Sequence, residues 1–260
     1  MEKSTHLARI SDLISKFGDT HAHRIPKYLR LSNALLTAIE TGYLRVGDKL
    51  PPELDIASEL QMSQGTVRRA LEVLAQQGVV VRNHGSGTFV TGGRHSEDVL
   101  WVLRFFRDDG KTFMPVFSQI VSILQTTEKG PWSALLGGDD SFIRINRIMG
   151  VGKEFKIFVE FYAAMKKCRE LLDYRSDELN SLSLRGILAE QFNMPTLRIE
   201  QRLQCRCLED DICDLLDLKH GTVGIVLEVS EYTYRDAPVS FRRIHLPPGH
   251  RYLALPEKRM

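Results

Sequence analysis

Gln64, Thr66, Arg68 and Arg69 lie within six consecutive positions, and none falls on the apolar face that Val67, Ala70, Leu71 and Leu74 mark out at helical spacing. These side chains share a chemistry. Gln and Thr hydrogen-bond base edges or phosphate oxygens, and Arg supplies phosphate charge or a bidentate contact to guanine. Ser63 stands just before them, where its hydroxyl can accept an orphan N–H of a first helical turn. Further on, His84-Gly85-Ser86-Gly87-Thr88-Phe89-Val90 reads as a tight hairpin. Its glycines allow close backbone approach to a ligand, and His84 can donate to a phosphate or a minor-groove atom. The chemistry indicated is hydrogen bonding and charge pairing with nucleic acid rather than bond making.

Elements must hold those side chains outward. A helix over 53–60 turns Ile56, Ala57 and Leu60 inward, and Gln61-Met62-Ser63 makes a short turn. The second helix runs over 64–77 and stops at Gly78, before the β-branched run Val79-Val80-Val81 and the hairpin. Two helices joined this way let the second enter a major groove with its N-terminal residues at base edges. A preceding helix over 28–41 follows Ile25-Pro26 and buries Leu31, Leu35, Leu36 and Ile39. Each piece alone is an ordinary amphipathic helix or hairpin; their order spells a winged helix-turn-helix.

Leu50-Pro51-Pro52-Glu53, Ala57-Ser58-Glu59-Leu60, the run from Ser63 to Leu71 and the hairpin motif resemble the signature of GntR-family bacterial transcription regulators, over about 25–92. The resemblance implies operator DNA as partner, contacted by Leu54, Ser63, Gln64, Gly65, Thr66, Arg68, His84 and Gly85. Arg69 joins them from the exposed-face pattern. Leu54 and Gln64 stand where the family commonly has Arg. Gln64 can pair with adenine instead, so a non-consensus operator is expected.

A chain of 260 residues suits two domains, and 43% hydrophobic with 26% charged residues is ordinary globular usage. The net charge of +2 carries no case for nucleic acid, which rests on the motif and on a local patch of Lys49, Arg68, Arg69 and Arg82. Without an apolar run of membrane length or a leader pattern, a cytoplasmic protein with no membrane partner is expected. The four cysteines (Cys168, Cys205, Cys207 and Cys213) include no CxxC pair and are expected to be buried structural residues. Cys205 and Cys207 share one face of a strand. His21 and His23 lack neighbouring carboxylates and read as linker residues, so no metal site is expected. Nucleophile motifs, Walker loops, dinucleotide fingerprints and HExxH are lacking, so no catalytic residue and no cofactor are expected either.

Residues 1–24 form an extension whose Leu7, Ile10 and Phe17 share a helical face, and 93–97 is a small polar linker. Beyond it, 98–260 changes character. Short alternating runs at 99–106, 116–124, 142–149, 155–162, 199–207, 223–234 and 239–246 read as strands, and 132–136, 182–192 and 211–216 as helices. Strands and helices without strict βα alternation predict an α+β domain with an antiparallel sheet. Tyr234-Arg235-Asp236-Ala237-Pro238 reads as a hairpin turn, and Gly137-Gly138-Asp139-Asp140 as a simple turn.

Phe142 to Arg147, Glu160-Phe161-Tyr162, Leu182 to Leu188, Cys213 to Leu218 and the last two strands are similar to a UTRA domain, the effector domain of HutC-type GntR regulators, with the fold of chorismate lyase. The resemblance implies a homodimer and a small-molecule effector contacted by Arg147, Glu160, Ser183 and Arg185, with Arg144 and Arg242 beside them. The arginines suit an anionic group. Met149 and Ser240 stand where relatives often have Arg and Glu, and Met114-Pro115 where a Ser/Thr-rich loop is usual. The expected function is a transcriptional regulator, acting as a repressor, whose operator affinity an effector changes. The alternatives are an enzyme on the lyase-like domain tethered to DNA, and a ligand-independent architectural DNA-binding protein.

Overall fold

The computed structural model describes residues 25–83, 85–91, 104–137, 140–180, 182–249 and 251–254. The extension 1–24, the linker 93–97, His84, Gly138, Asp139 and the start of the run at 99–106 lie outside the described residues. The chain divides into two compact units, Met1–Arg94 with Leu188–Leu197, and His95–Ile187 with Arg198–Met260. Among the described residues no helix is long and apolar enough to cross a membrane.

The first unit holds helices α1 (Lys27–Glu40), α2 (Glu53–Glu59) and α3 (Gln64–Gln76), then the hairpin strands β1 (Val80–Asn83) and β2 (Gly87–Val90). Leu31, Leu35 and Ile39 of α1, Ile56 of α2, and Val67, Leu71 and Leu74 of α3 are fully buried, as their spacing predicts. The Ser63 hydroxyl accepts from the Thr66 N–H at 3.2 Å and caps α3. At the other end Gly78, with φ of +72°, turns the chain, and Val79 N–H reaches back to the Leu74 carbonyl at 2.9 Å. The hairpin is bonded to the body through a third extended segment. Leu50 N–H donates to Thr88 O at 2.8 Å, Val90 N–H to Asp48 O at 2.8 Å and Gly47 N–H to Val90 O at 2.9 Å.

The second unit is an α+β domain around a six-stranded sheet whose hydrogen-bonded neighbours are all antiparallel. Its strands are β4 (Val116–Thr126), β5 (Phe142–Val151), β6 (Phe155–Ala164), β7 (Arg198–Cys207), β8 (Val223–Tyr232) and β9 (Pro238–Leu246), in the order β4-β5-β6-β9-β8-β7. Of the run at 99–106 the described part is β3 (Arg104–Phe105), which pairs with β10 (Leu253–Ala254) in a separate ribbon. The helices are α4 (Pro131–Leu135), α5 (Met165–Cys168), α6 (Ser176–Asn180) and α8 (Asp210–Leu215), with α7 (Leu184–Glu190) belonging to this unit as far as Ile187. Neither α5, nor the 3₁₀ turn at Arg169–Asp173, nor α6 was legible, because each is only four or five residues long, too short to show a helical period.

Strand alternation assigns every sheet residue to one of two faces. Register pairs Arg144 with Tyr162, Asn146 with Glu160, and Glu160 with Arg243, so these share a face. Arg147, Phe161, Arg242, Glu231 and Ser240 occupy the other. The first face is closed by Trp132 of α4, stacked on Tyr162 at 3.7 Å, and by Ile212 and Cys213 of α8 over Phe158 and Val226. The second is apolar at one end, where Phe105 packs on Met149, Val159, Val229 and Ile244. Cys168 and Cys213 are buried, but Cys205 and Cys207 are exposed, against expectation. They lie on β7, the edge strand, at the end away from Ile199, which packs on the core.

Candidate functional site

Two sites emerge, one in each unit. In the first, the start of α3 stands clear of the core. Ser63, Gln64, Gly65, Arg68 and Arg69 are exposed and Thr66 is half-buried. Leu54 on α2 is an apolar side chain left 64% exposed. Gly85, with φ of +76°, makes the hairpin tip with Ser86 N–H bonded to Asn83 O at 3.0 Å. The structure therefore puts helix start and hairpin tip of one unit at the surface, as the motif order predicts.

The cations of this surface are partnered. Arg68 Nε pairs with Glu72 at 3.1 Å one turn on, and Arg69 lies over the Tyr28 ring at 4.4 Å. Arg82 of β1 pairs with Glu53 at 2.8 Å and donates to the Arg68 carbonyl at 3.2 Å, tying the wing to α2 and α3. Lys49 crosses Gly87, where φ is +115° and an added Cβ would meet Lys49 Cε at 2.8 Å. Exposed pairs of this kind are weak, so the arginines can exchange a carboxylate for a phosphate at little cost.

The second unit separates the effector candidates that the sequence groups together. Arg147 and Arg242 lie on one sheet face, and Arg185 of α7 reaches the same cluster through Glu231. Arg147 is 4% exposed and donates through Nη2 to the Leu179 and Leu182 carbonyls at 3.0 and 3.4 Å, while its Nε has no hydrogen-bond partner. Glu231 is fully buried. Its Oε2 accepts from the Ser240 hydroxyl and lies 3.1 Å from Arg242 Nη2, and its Oε1 lies 3.4 Å from Arg185 Nε. Burial and the nearby Arg242 charge lower the Arg147 pKa to about 10. Arg185 is also lowered to about 10, by burial and Arg242, with Glu231 opposing. Ser183 is half-buried and its hydroxyl accepts from Gly186 N–H at 3.2 Å, capping α7.

Arg144 and Glu160 face the opposite way. Glu160 accepts from Arg144 Nη2 at 2.8 Å and from the Tyr162 hydroxyl at 3.0 Å, and its other oxygen is 2.9 Å from His245 Nε2. Arg144 also meets Glu128 at 3.1 Å, and neighbouring Arg243 pairs with Glu228 at 3.1 Å. Burial pushes the Glu160 pKa up, but the His245 and Tyr162 hydrogen bonds and the Arg144 charge outweigh it, and the net shift is downward. Charges on this face are matched in pairs. Arg144 and Arg147 are three positions apart, and an odd separation on a strand sends them to opposite faces.

Glu231 escapes the motif reading, yet a signal for it exists, of the kind that also marks Arg147. Along β8 the alternate positions are Val223, Ile225, Leu227, Val229 and Glu231, and along β5 they are Ile143, Ile145, Arg147, Met149 and Val151. A charge interrupting an apolar row marks a buried ionisable group, which is rare without a partner or a purpose. Among the described residues no group of His, Cys, Asp and Glu could hold a metal ion.

Comparison with known proteins agrees with this division. A family model described as bacterial regulatory proteins, gntR family, matches residues 27–90, and a UTRA-domain model matches 133–252. The arabinose metabolism transcriptional repressor of Geobacillus stearothermophilus is 40% identical over 75 residues, 29% of this chain and 21% of that protein's length. The HTH-type transcriptional repressor NagR of Bacillus subtilis (strain 168) is 24% identical over 216 residues, covering 80% of this chain and 85% of that one. Among solved structures, the ligand-binding domain of a GntR-family transcriptional regulator from Bordetella bronchiseptica superposes with a TM-score of 0.50 at 18% identity. It covers 60% of this chain and 97% of its own, and supports the fold of the second unit. A gntR-type helix-turn-helix followed by a UTRA domain places the chain in the GntR family of bacterial regulatory proteins.

Proposed function

We propose that the chain is a homodimeric transcriptional repressor of the cytoplasm, not an enzyme, whose affinity for a pseudo-palindromic operator falls when a small anion binds among Arg147, Arg185 and Arg242. The single observation that carries the effector half of this reading is the Arg147 guanidinium, buried at 4% exposure with an unused Nε donor. A buried cation with spare hydrogen-bonding capacity is costly to maintain and suits an anionic ligand. The exposed start of α3, with Gln64, Thr66 and Arg68, supports the DNA half. Ser63 and Ser183 act as helix caps in this scheme, each free to add a hydroxyl contact to DNA or effector. Arg144 and Glu160, matched with one another on the far face, serve the sheet rather than the ligand.

An effector shifts operator affinity only by the difference in its binding to the DNA-competent and DNA-released states. The test begins with a thermal-shift panel of phosphorylated sugars, organic acids and amino acids, since a ligand selective for the folded state raises its melting temperature. The hit is then titrated into a complex of the protein with DNA recovered from a random-sequence pool. Arg147→Ala is expected to retain DNA and to need at least tenfold more effector for release. Release at the wild-type concentration would remove Arg147 from the effector site.

A further inference from the structure

Among the described residues of the first unit three large apolar side chains are exposed, Ile25 and Tyr43 at 40% and Leu54 at 64%. Isolated exposed apolar residues are common and by themselves say nothing. Leu54 differs in its surroundings. Its chain neighbour Glu53 accepts from Arg82 Nη2 at 2.8 Å, and the same nitrogen donates to the Arg68 carbonyl at 3.2 Å, while Arg82 Nη1 lies 3.8 Å from Glu72. One guanidinium of the wing thus gathers α2 and α3 at a single junction, and Leu54 stands beside it. Asp55, Ser58 and Glu59 of the same helix are exposed and polar. Leu54 is therefore a single apolar group in a polar surface, too small a patch for a protein partner.

A leucine side chain has no donor, no acceptor and no charge. It cannot hold a phosphate, a sugar hydroxyl or the nitrogen and oxygen atoms of a base edge, and covering those groups without a replacement hydrogen bond is unfavourable. In the major groove one base carries an apolar group, the C5 methyl of thymine. Gln64 and Arg68 of α3 are equipped for the complementary task, hydrogen bonding to base edges or phosphates. Given the operator-binding reading above, we infer that Leu54 is a specificity-determining residue that reads a thymine methyl of the operator. Contact between the methyl and Leu54 removes both from water, and it disfavours cytosine, whose amino group would face the leucine without an acceptor.

Selection from a random-sequence DNA pool gives the sequence that the full chain binds. Each thymine in it is then replaced singly by uracil, which lacks the methyl and keeps every hydrogen-bonding group. At one thymine, or at it and its symmetry mate, the exchange is expected to weaken wild-type binding about fourfold at fixed salt, as the loss of one buried methyl predicts. Leu54 is exposed, so Leu54→Ala leaves the fold intact. That variant should bind the thymine and uracil forms within about 1.5-fold of each other, with exchanges at other thymines unaffected. Leu54→Met keeps an apolar tip and should preserve a difference of about twofold or more. A thymine–uracil difference below about 1.5-fold at every position, or one that persists undiminished in Leu54→Ala, would overturn the assignment of Leu54 while leaving sequence-selective binding in place. Failure of the operator-binding reading looks different: the selection would return no preferred sequence for wild type, and both would fall together.

Discussion

At the scale of single residues, location separates side chains of one type into different tasks. Arg68 is exposed and, among the described residues, its side chain pairs with Glu72, so truncating it takes little from the fold. Arg68→Ala is expected to cost operator affinity at least tenfold, while the loss of an exposed i,i+4 pair lowers stability by about 0.5 kcal/mol or less. A salt titration separates its two modes of contact: a phosphate contact lowers the salt slope by about 1, and a base contact relaxes sequence preference at one position. Unchanged affinity at every salt concentration would take Arg68 out of the interface. Glu160 behaves oppositely, because it is an internal partner. Its pKa is lowered on folding from an ordinary 4.5, so its ionised form adds stability that is fully present above that value and is lost as pH falls through the lowered one. Glu160→Gln is expected to destabilise by roughly 3 kcal/mol at neutral pH, with the gap to wild type constant well above pH 4.5 and shrinking below it. A gap independent of pH across the acid range would show that Glu160 is not held ionised.

At the scale of elements, legibility followed period and length. Helices α1 and α3 and the long strands of the second unit were readable because ten-odd residues repeat a pattern, and Ser63 and Gly78 marked the ends of α3 in advance. Gly78 adopts φ of +72° with open space around its Cα, so Gly78→Ala meets strain but no clash. It should lower stability by about 1 kcal/mol, seen as a lower urea midpoint at unchanged slope. No change would mean that the chain reverses there by another route. What could not be read was pairing between distant segments. Strand order puts β9 between β6 and β8, and that order brings the β8–β9 hairpin, with Glu231 and Arg242, to the side of β6 and towards Arg147 on β5. The tie from Arg82 to Glu53 and the stacking of Arg69 on Tyr28 are likewise contacts that linear spacing does not encode. The effector candidates were gathered by resemblance in sequence, whereas the alternation of β5 divides them between two faces.

At the scale of the whole molecule, a net charge of +2 gives no general attraction to nucleic acid, so binding depends on the local surface around α3 and the wing. Each unit carries its own core, and the second unit's sheet is covered on both faces, at one by Trp132 and α8 and at the other by Phe105 and its neighbours. The two ionic systems therefore stand back to back across a single layer of backbone, and among the described residues their central carboxylates, Glu160 and Glu231, have no partner in common. Substitutions without shared partners combine additively. The cost of a change around Glu231 is accordingly expected to add to the cost of a change around Glu160, so that a double variant loses the sum of what its two single variants lose and each face of the sheet can be altered as if the other were not there.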